Sequence, residues 1–492
     1  MINEMLLTYQ SRLMLNQKQE EILQECACLL SQVERCLFAE VCKGKSSASC
    51  KNTFLRQFGI TARQFNACRL SVETKISACQ ASQELAITNL KSQIKTFDQK
   101  IKVLERKPSK HFVLHQKKRR RDILLSRLSS LEKDQKEKKV RLCFGGKKLF
   151  KAQFQLEENG FTSHSEWKKA WEEKRNGEFF ILGSKDETAG NQTCVAYLQS
   201  DGKLTLRLRL PKMLEEKYGK YLGIKDVAFA YGHESIIRAL SSQAISYRFK
   251  KDDKSWRIFV STACKKKEPI SKEGIGVIGI DLNSDHIACT ETDRFGNIVD
   301  TKIIPWVSYG KTKGQLKALT KDVCKEIVEK AKKVKKPLVI EKLDFQKKKL
   351  ALKEESSRYF ARLLSCFAYS LFFSLLTTRA FKDGIHIHEI NPAYTSLIGR
   401  VKFAKRYGLT IHLAAALCIA RRYLMFSESP TQAIGVIPDG KEGHVAFDLP
   451  ARNRTKHVWH FWAQVNKKIK MVLAAHFRAM YHRSLRPLKA AL

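Results

Sequence analysis

Residues 275–283 read Ile-Gly-Val-Ile-Gly-Ile-Asp-Leu-Asn, an apolar run that ends in an acid at Asp281. A short continuous apolar run is typical of a strand buried on both faces of a sheet. A second run, Pro337–Ile340, is closed by Glu341 in the same way. A carboxylate at the end of each of two buried strands predicts a metal-dependent active site on a central sheet.

The elements around these acids alternate between strands and helices. Three antiparallel strands, then a helix, then parallel strands flanked by helices form the order of an RNase H-like domain. In that architecture acids from neighbouring central strands converge, and divalent ions held between them cleave phosphodiesters. The alternative for either acid alone is a residue that caps a turn. We expect strands at 275–281, 287–291, 298–303, 337–341 and 385–390, and helices at about 312–335, 354–383 and 409–422.

The composition predicts a large basic protein. The 492 residues include 91 Lys and Arg against 49 Asp and Glu, a net charge of +42. This excess predicts a polyanion partner, because binding releases counterions from phosphates. The length is enough for two or more domains, and an apolar content of 43% indicates a globular rather than a disordered chain. The sequence lacks a membrane-spanning stretch and a signal-peptide pattern, so we expect no membrane partner and a cytosolic location.

The N-terminal region begins with a strand and a helical segment. We expect the strand at 5–14, a helix at 16–42, and a long helix at 84–106 with apolar residues three or four apart. Pro108 ends the long helix, and a second apolar seam follows, which predicts an antiparallel helical hairpin. A plain coiled-coil spacer is the alternative. We expect a basic tip that contacts nucleic acid through Lys117, Lys118, Arg119, Arg120 and Arg121.

From about 140 to 270 the pattern predicts strands and turns. Cys194–Leu198 and Leu204–Leu210 flank a Ser-Asp-Gly turn, which indicates a hairpin. In its second strand the leucines point to one face, and Arg207 and Arg209 point to the other. These two arginines are therefore candidate nucleic-acid contacts. We expect the initial strand to belong to this β-rich module, with the helical region inserted between.

The C-terminal tail, 441–492, mixes basic residues with aromatics. This mixture suits phosphate contact combined with base stacking. The alternative is that Trp459 and Trp462, three residues apart, form a core-facing helical stripe. The candidate contacts of this tail are Arg452, Arg454 and Lys456.

Three motifs resemble a known family: Gly279-Ile280-Asp281-Leu282-Asn283, Ile340-Glu341-Lys342-Leu343 and Asn391-Pro392-Ala393-Tyr394-Thr395-Ser396. They look like the RuvC motifs of the TnpB family, which are insertion-sequence-encoded, RNA-guided DNA endonucleases related to the type V CRISPR effectors. The resemblance implies a multidomain α+β fold with a helical recognition lobe inserted in a β-barrel wedge domain, followed by an RNase H-like nuclease domain. The implied segments are 1–15 (first wedge strand), 16–138 (recognition lobe), 139–272 (wedge barrel), 273–430 (RuvC-like domain) and 431–492 (basic and aromatic C-terminal segment).

The resemblance also implies a metal site. It makes Asp281 the first ligand and Glu341 the second ligand of Mg²⁺, with Mn²⁺ as the alternative ion. The third ligand is normally an Asp before paired alanines, and here that position holds His412. Neutral imidazole is a competent ligand for either ion, although it suits Mg²⁺ less well than a carboxylate does.

The departures from the family pattern leave alternatives open. His412 could instead make an ordinary hydrogen bond in an inactive site, or Asp448 or Glu389 could supply the missing acid. The family's zinc-ribbon cysteines are absent between residues 397 and 411, so we expect no zinc ribbon. Two further candidate nucleic-acid contacts close the alanine-rich segment, namely Arg421 and Arg422.

The expected function is RNA-guided, metal-dependent DNA cleavage by a transposon-associated protein or a compact CRISPR-like effector. The expected partners are a guide RNA and a double-stranded DNA target with a displaced strand. The protein would act as a monomer or homodimer in the bacterial cytoplasm, associated with the nucleoid. A nuclease-inactive, RNA-guided DNA-binding protein is the first alternative. An RNase H-fold transposase or resolvase, which needs no RNA, is the second.

Overall fold

The computed structural model describes residues 4–106, 108–185, 187–253, 255–265, 267–342, 369–430, 432–438 and 443–489, with the backbone alone at 108 and 477–489. Residues 354–368 of the helix expected at 354–383 lie outside the described residues. The chain divides into two compact units, Met1–Lys265 and Lys266–Leu492. The described helices include none that is long and apolar enough to cross a membrane.

The N-terminal unit mixes helices and strands. Its described strands are β1 (Glu4–Arg12), β2 (Glu178–Ile181), β3 (Cys194–Leu198), β4 (Leu204–Arg209), β5 (Tyr221–Val227), β6 (Ser246–Lys251) and β7 (Trp256–Lys265). Its described helices are α1 (Gln17–Cys42), α2 (Lys51–Phe58), α3 (Ala62–Glu105), α4 (His111–Lys136), α5 (Lys147–Ala152), α6 (His164–Arg175), α7 (Lys212–Tyr218) and α8 (His233–Leu240).

Two sheets organise this unit. The first is antiparallel with the strand order β1-β7-β6-β2, so the first strand of the chain pairs with the last strand of the unit. The second is antiparallel with the order β3-β4-β5. The predicted hairpin of β3 and β4 is confirmed. Leu204, Leu206 and Leu208 are buried, and Arg207 is exposed.

Helices α3 and α4 form the predicted antiparallel hairpin. Ion pairs join Lys118 to Glu105 at 2.9 Å and Lys91 to Glu132 at 2.8 Å, which fixes the two directions. The turn is Pro108–Lys110. The predicted location of residues 117–121 at the tip is therefore wrong. Because α4 begins directly after the turn, at His111, the basic run lies inside the helix.

The strand-rich region also begins later than predicted. Helices α5 and α6 precede β2, so residues 147–175 are largely helical. Ser163 caps α6 by accepting a hydrogen bond from the Glu166 amide at 3.2 Å. Trp167 and Trp171, one helical turn apart, stack with ring centroids 6.0 Å apart. The polar residues around these two tryptophans favour turns, so their helical spacing did not lead to the prediction of α6.

The C-terminal unit holds the predicted α/β domain. Its described strands are β8 (Ile278–Leu282), β9 (His286–Thr292), β10 (Ile298–Pro305), β11 (Leu338–Glu341), β12 (Ile387–Ile390), β13 (Ile434–Pro438) and β14 (His444–Asp448). Its described helices are α9 (Lys313–Val334), α10 (Tyr369–Asp383), α11 (Thr395–Ile398), a π-helical stretch (Gly399–Ala404), α12 (Lys405–Tyr407), α13 (Ile411–Tyr423) and α14 (Val458–Lys489).

The main sheet of this unit has the strand order β10-β9-β8-β11-β12. β8, β9 and β10 are antiparallel neighbours, whereas β11 runs parallel to both β8 and β12. This is the order and direction expected of an RNase H-like sheet. The chain is therefore a mixed α and β protein, as predicted, with the two acid-bearing strands β8 and β11 side by side.

Different helices cover the two faces of the sheet. Ile278, Ile280 and Ile340 pack into an apolar cluster with residues of α9 and α10. On the other face α13 approaches β8 so closely that a Cβ built on Gly279 would lie 2.1 Å from the Ala416 carbonyl oxygen. Only a glycine at this position allows the helix to lie directly on the strand. This second face is the one that carries Asp281, two residues after Gly279.

Candidate active site

Asp281 and Glu341 end neighbouring parallel strands. The register of β8 and β11 pairs Ile280 with Ile340, and the next residue on each strand is one of the two acids. In-register residues of parallel strands share a face, so both acids project from the α13 side of the sheet. Asp281 is 7% exposed, and Glu341 is half-buried.

Helix α13 positions His412 beside Asp281. The helix begins after Thr410, whose hydroxyl caps it by accepting from the Leu413 amide at 3.3 Å. Four helical residues rise about 6 Å, and two strand residues advance about 6.6 Å. The helical turn that separates Ala416 from His412 therefore matches the step from Gly279 to Asp281. As a result His412 Nδ1 lies 3.1 Å from Asp281 Oδ2.

The contact between His412 and Asp281 shifts the pKa of the imidazole. The hydrogen bond to Asp281 raises the pKa of His412 above its usual value. Partial burial opposes this shift, and the negative charges of Asp281 and Asp285 add to it. With Nδ1–H as the donor, the imidazole is held in place by Asp281, the carboxylate that would also bind a metal ion.

Residues after β8 extend this contact into a network that was not predicted. Asn283 Nδ2 donates to Asp281 Oδ2 at 3.0 Å and lies 3.4 Å from His286 Nε2. His286 Nδ1 donates to Asp285 Oδ1 at 2.9 Å. The His286 ring meets the His412 ring edge-on, with centroids 4.6 Å apart. Only the nearness of 283–286 to the strand end could have indicated these residues.

Glu341 is held by a different set of neighbours. The Thr395 hydroxyl donates to Glu341 Oε1, and Thr395 is fully buried at the start of α11. The Tyr369 hydroxyl donates to the backbone carbonyl of Glu341 at 2.8 Å. Thr395 belongs to the third quoted motif. The sequence therefore indicated this residue, but not its hydrogen bond to Glu341.

Arg422 supports the loop that carries Thr395. Its guanidinium pairs with Glu428 and donates to the carbonyls of Asn391 and Ala393, the latter at 2.8 Å. The Arg422 side chain is only 11% exposed. The guanidinium is thus used within the protein, which does not fit the predicted nucleic-acid contact.

The donor atoms fit a divalent cation in type and partly in spacing. Adjacent ligands of an octahedral ion with bonds of about 2.1 Å lie about 3 Å apart. The separation of 3.1 Å between Asp281 Oδ2 and His412 Nδ1 matches that spacing. Across the described ranges, no group of three or more His, Cys, Asp or Glu side chains is arranged to hold a metal ion. Glu341 is therefore the right donor on the right face, but it is not assembled with the other two.

The two other candidate acids lie elsewhere. Glu389 pairs in register with Ile340, whose side chain packs against α9 and α10, so Glu389 projects from the face opposite Asp281. Asp448 is an exposed residue of the separate two-stranded sheet of β13 and β14. The register makes Glu389 unsuitable as a third ligand, a correction that the alternation of side chains along a strand explains.

Residues 397–411, which lack the zinc-ribbon cysteines of the family that the sequence resembles, lie against an apolar cluster. The segment is helical from α11 through α12, with Ile398 and Phe403 buried. They pack with Ile437 of β13 and with Phe461 and Trp462 of α14. The core-facing alternative is therefore confirmed for Trp462, whereas Trp459 is half-buried, with its ring under the Arg422 guanidinium.

The remaining predicted nucleic-acid contacts differ in their surroundings. Arg121 lies 3.8 Å from Asp98, and the Arg421 guanidinium donates to the Gly296 carbonyl at 2.7 Å. Arg209 is half-buried, and Lys117 lies over the Phe97 ring. The exposed members are Arg119, Arg120, Arg207, Arg452, Arg454 and Lys456.

Comparison with known proteins finds similarity among solved structures alone. No protein-family model matches the sequence, and no curated protein matches it. Among solved structures the chain is similar to T. thermophilus RuvC in complex with Holliday junction substrate, with 15% identity over 30% of this chain and 90% of that chain and a TM-score of 0.22. It is also similar to a CRISPR-Cas12f ternary complex, with 11% identity over 69% of this chain and 81% of that chain and a TM-score of 0.19. At these scores neither similarity carries an argument about the site, which rests on the contacts described above.

Proposed function

We propose that this chain is a metal-dependent nuclease that cleaves DNA under the direction of a guide RNA. The observation that carries the nuclease part is the placement of Asp281 and Glu341. They end adjacent parallel strands, on one face of a sheet with RNase H-like strand order. A buried carboxylate at such a place is costly unless a cation or hydrogen bonds compensate its charge.

Each residue of the site has a distinct task in this proposal. Asp281 and Glu341 would hold the cation, with His412 at the third position. When bound, Mg²⁺ or Mn²⁺ would activate a water and stabilise the leaving oxygen of the phosphodiester. Asn283 orients Asp281 through its amide, and Thr395 orients Glu341 through its hydroxyl.

The guide RNA part of the proposal rests on charge and on the sequence motifs. A net charge of +42 suits a large nucleic-acid partner. In this proposal 16–138 is the recognition lobe and 139–272 is the wedge, and both hold the RNA. The partners are then a guide RNA and a DNA duplex with one displaced strand, in the cytoplasm of a bacterium.

One observation favours a second candidate, a nuclease-inactive RNA-guided DNA-binding protein. Asp281 Oδ2 already accepts hydrogen bonds from both His412 and Asn283. Protonated His412 would neutralise the carboxylate that a cation needs. Target binding without cleavage in either Mg²⁺ or Mn²⁺ would select this candidate.

The test uses the full chain purified with its bound RNA. The RNA is sequenced, and a duplex that matches it, flanked by a randomised stretch, is offered with Mg²⁺ or Mn²⁺. We expect cleavage of the matching duplex, and loss of cleavage after RNase treatment, because base pairing selects the target. Cleavage that survives complete RNase treatment would instead indicate a nuclease or transposase that needs no guide.

A further inference from the structure

The outer face of the β3-β4-β5 sheet combines aromatic and basic side chains. Side chains alternate between the two faces of a strand. The outer face therefore carries the β4 residues that alternate with the buried leucines, together with the side chains beside them on β3 and β5. The exposed members include Tyr197 on β3, Arg207 on β4, and Tyr221 and Lys225 on β5. The face belongs to the N-terminal unit and is separate from the acids of the candidate active site.

Three of these side chains form a row across the sheet. The Arg207 guanidinium lies 5.3 Å from the ring centroid of Tyr197 and 4.9 Å from that of Tyr221. Both rings nevertheless stay open to solvent, with Tyr197 42% exposed and Tyr221 43% exposed. The arginine therefore orders both rings without covering them.

Space and charge at this face suit a polyanion. Gly223 pairs with Arg207, and a Cβ built on it would meet nothing within 4 Å, so the row borders an open notch. Among the described residues Arg207 and Lys225 form no ion pair, whereas Asp201 and Asp226 at the end of the sheet are both engaged by Lys203. The cations of the face are thus available to phosphates.

We infer that this face binds unpaired nucleotides by stacking their bases on Tyr197 and Tyr221, with Arg207 between them available to a phosphate. Strands two places apart in a sheet are separated by about 10 Å, too far for neighbouring stacked bases, so the two rings would take bases that are splayed apart. Bases inside a duplex are stacked on one another and cannot reach the rings. Single-stranded RNA and DNA share this chemistry.

The test measures binding rather than cleavage, so it is independent of the proposed nuclease function. The full chain is stripped of nucleic acid, and its affinity is measured for a 20-nucleotide RNA, the same sequence as single-stranded DNA, and the duplex. We expect Tyr197→Leu and Tyr221→Leu each to weaken binding of the single strands about tenfold, because base–aromatic stacking is lost. Binding of the duplex should stay within twofold. A larger effect on RNA than on DNA would identify RNA as the natural occupant.

Two controls make the result decisive. Phe295→Leu removes an exposed ring that has Arg294 above it but lies in the turn between β9 and β10, and we expect unchanged binding. Thermal unfolding of each variant should match the wild type, since the replaced rings are exposed. Unchanged single-strand affinity in both tyrosine variants, or an equal loss for single strands and duplex, would overturn the inference. Either outcome would indicate that the face binds a protein partner or attracts nucleic acid by charge alone.

Discussion

At the scale of single residues, Asp281 is the point where the candidate site is decided. Its Oδ2 accepts from His412 and Asn283, and the separation from His412 suits either a shared proton or a shared cation. In the proposed function the same two atoms would hold a cation, and without one they form the hydrogen-bonded pair seen in the structure. In that proposal, cation binding at Asp281 would compete with protonation of His412.

The pKa of His412 predicts how stability without metal depends on pH. The pKa of His412 is raised in the folded state, so its contact with Asp281 stabilises the fold. This stabilisation is fully present at pH values below the ordinary histidine pKa of about 6.5. This contribution is lost as the pH rises through the raised value. In the presence of a chelator, the melting temperature of the wild type should exceed that of His412→Gln at pH 6, and the gap should narrow at pH 9. A gap that grows with pH would contradict the assignment.

The sequence indicated some of these residues and not others. Asp281 and Glu341 could be predicted because a buried strand and its terminal acid are local features. His286 and Arg422 could not be assigned in this way, since their roles depend on contacts with residues distant in sequence or on ring orientation. Arg422 was predicted to contact nucleic acid, and nothing local in the sequence shows that it pairs with Glu428.

At the scale of elements, the packing of α13 on β8 sets the geometry of the site. A Cβ on Gly279 would meet the Ala416 carbonyl oxygen at 2.1 Å, so Gly279→Ala must push the helix away from the strand. We expect a loss of about 1–3 kcal/mol or more in the free energy of unfolding. The matched control is Gly223→Ala, where a Cβ meets nothing within 4 Å and stability should change by less than about 1 kcal/mol. Chemical denaturation of both variants measures the difference, and equal stabilities would contradict the close packing.

A buried ion pair joins β9 to the end of α9. Lys336 Nζ donates to Glu291 Oε1 at 2.7 Å, and Lys330 approaches Oε2 at 3.0 Å. Burial raises the pKa of Glu291, but these two lysines outweigh burial and leave the pKa below its usual value. The stabilisation is therefore present above the ordinary glutamate pKa of about 4.3 and is lost as the pH falls through the lowered value.

Removing the charge of Glu291 should destabilise the C-terminal unit. Glu291→Gln leaves Lys336 buried without its carboxylate, which typically costs about 3–5 kcal/mol. Glu326→Gln is the control, because its pair with Lys302 is exposed and should contribute less than about 1 kcal/mol. Urea unfolding at pH 7 compares the two variants. Equal effects would show that the buried pair is not intact in solution.

Element prediction succeeded where periodicity was strong and local. The strands of the main sheet and the hairpin of β3 and β4 follow from apolar runs, alternation and a glycine turn. Helix α3 was predicted only from residue 84, whereas it begins at Ala62. Its first turns bury Phe65 and Val72 in the core of the unit. The apolar residues there do not form the single stripe by which an amphipathic helix is recognised in a sequence.

At the scale of the whole molecule, charge and sheet order lead to the same class of function. The net charge of +42 suits the proposed nucleic-acid partner, and the strand order brings two carboxylates to one face. The division into two units after Lys265 lies near the predicted boundary at residues 272–273, and the assignment of the segments to lobe and wedge stays a prediction.

The most direct test of the central claim is cleavage of a guide-matched DNA duplex by four forms of the purified ribonucleoprotein, with Mg²⁺ or Mn²⁺. The forms are wild type, Asp281→Asn, Glu341→Gln and, as control, Glu389→Gln, whose carboxylate lies on the opposite face of the same sheet. We expect each of the first two variants to lose cleavage by at least about a hundredfold while target binding is kept, since removing a ligand removes the metal's contribution to the transition state. Glu389→Gln should cleave as the wild type does. Undiminished cleavage by Asp281→Asn or Glu341→Gln would contradict the proposed site.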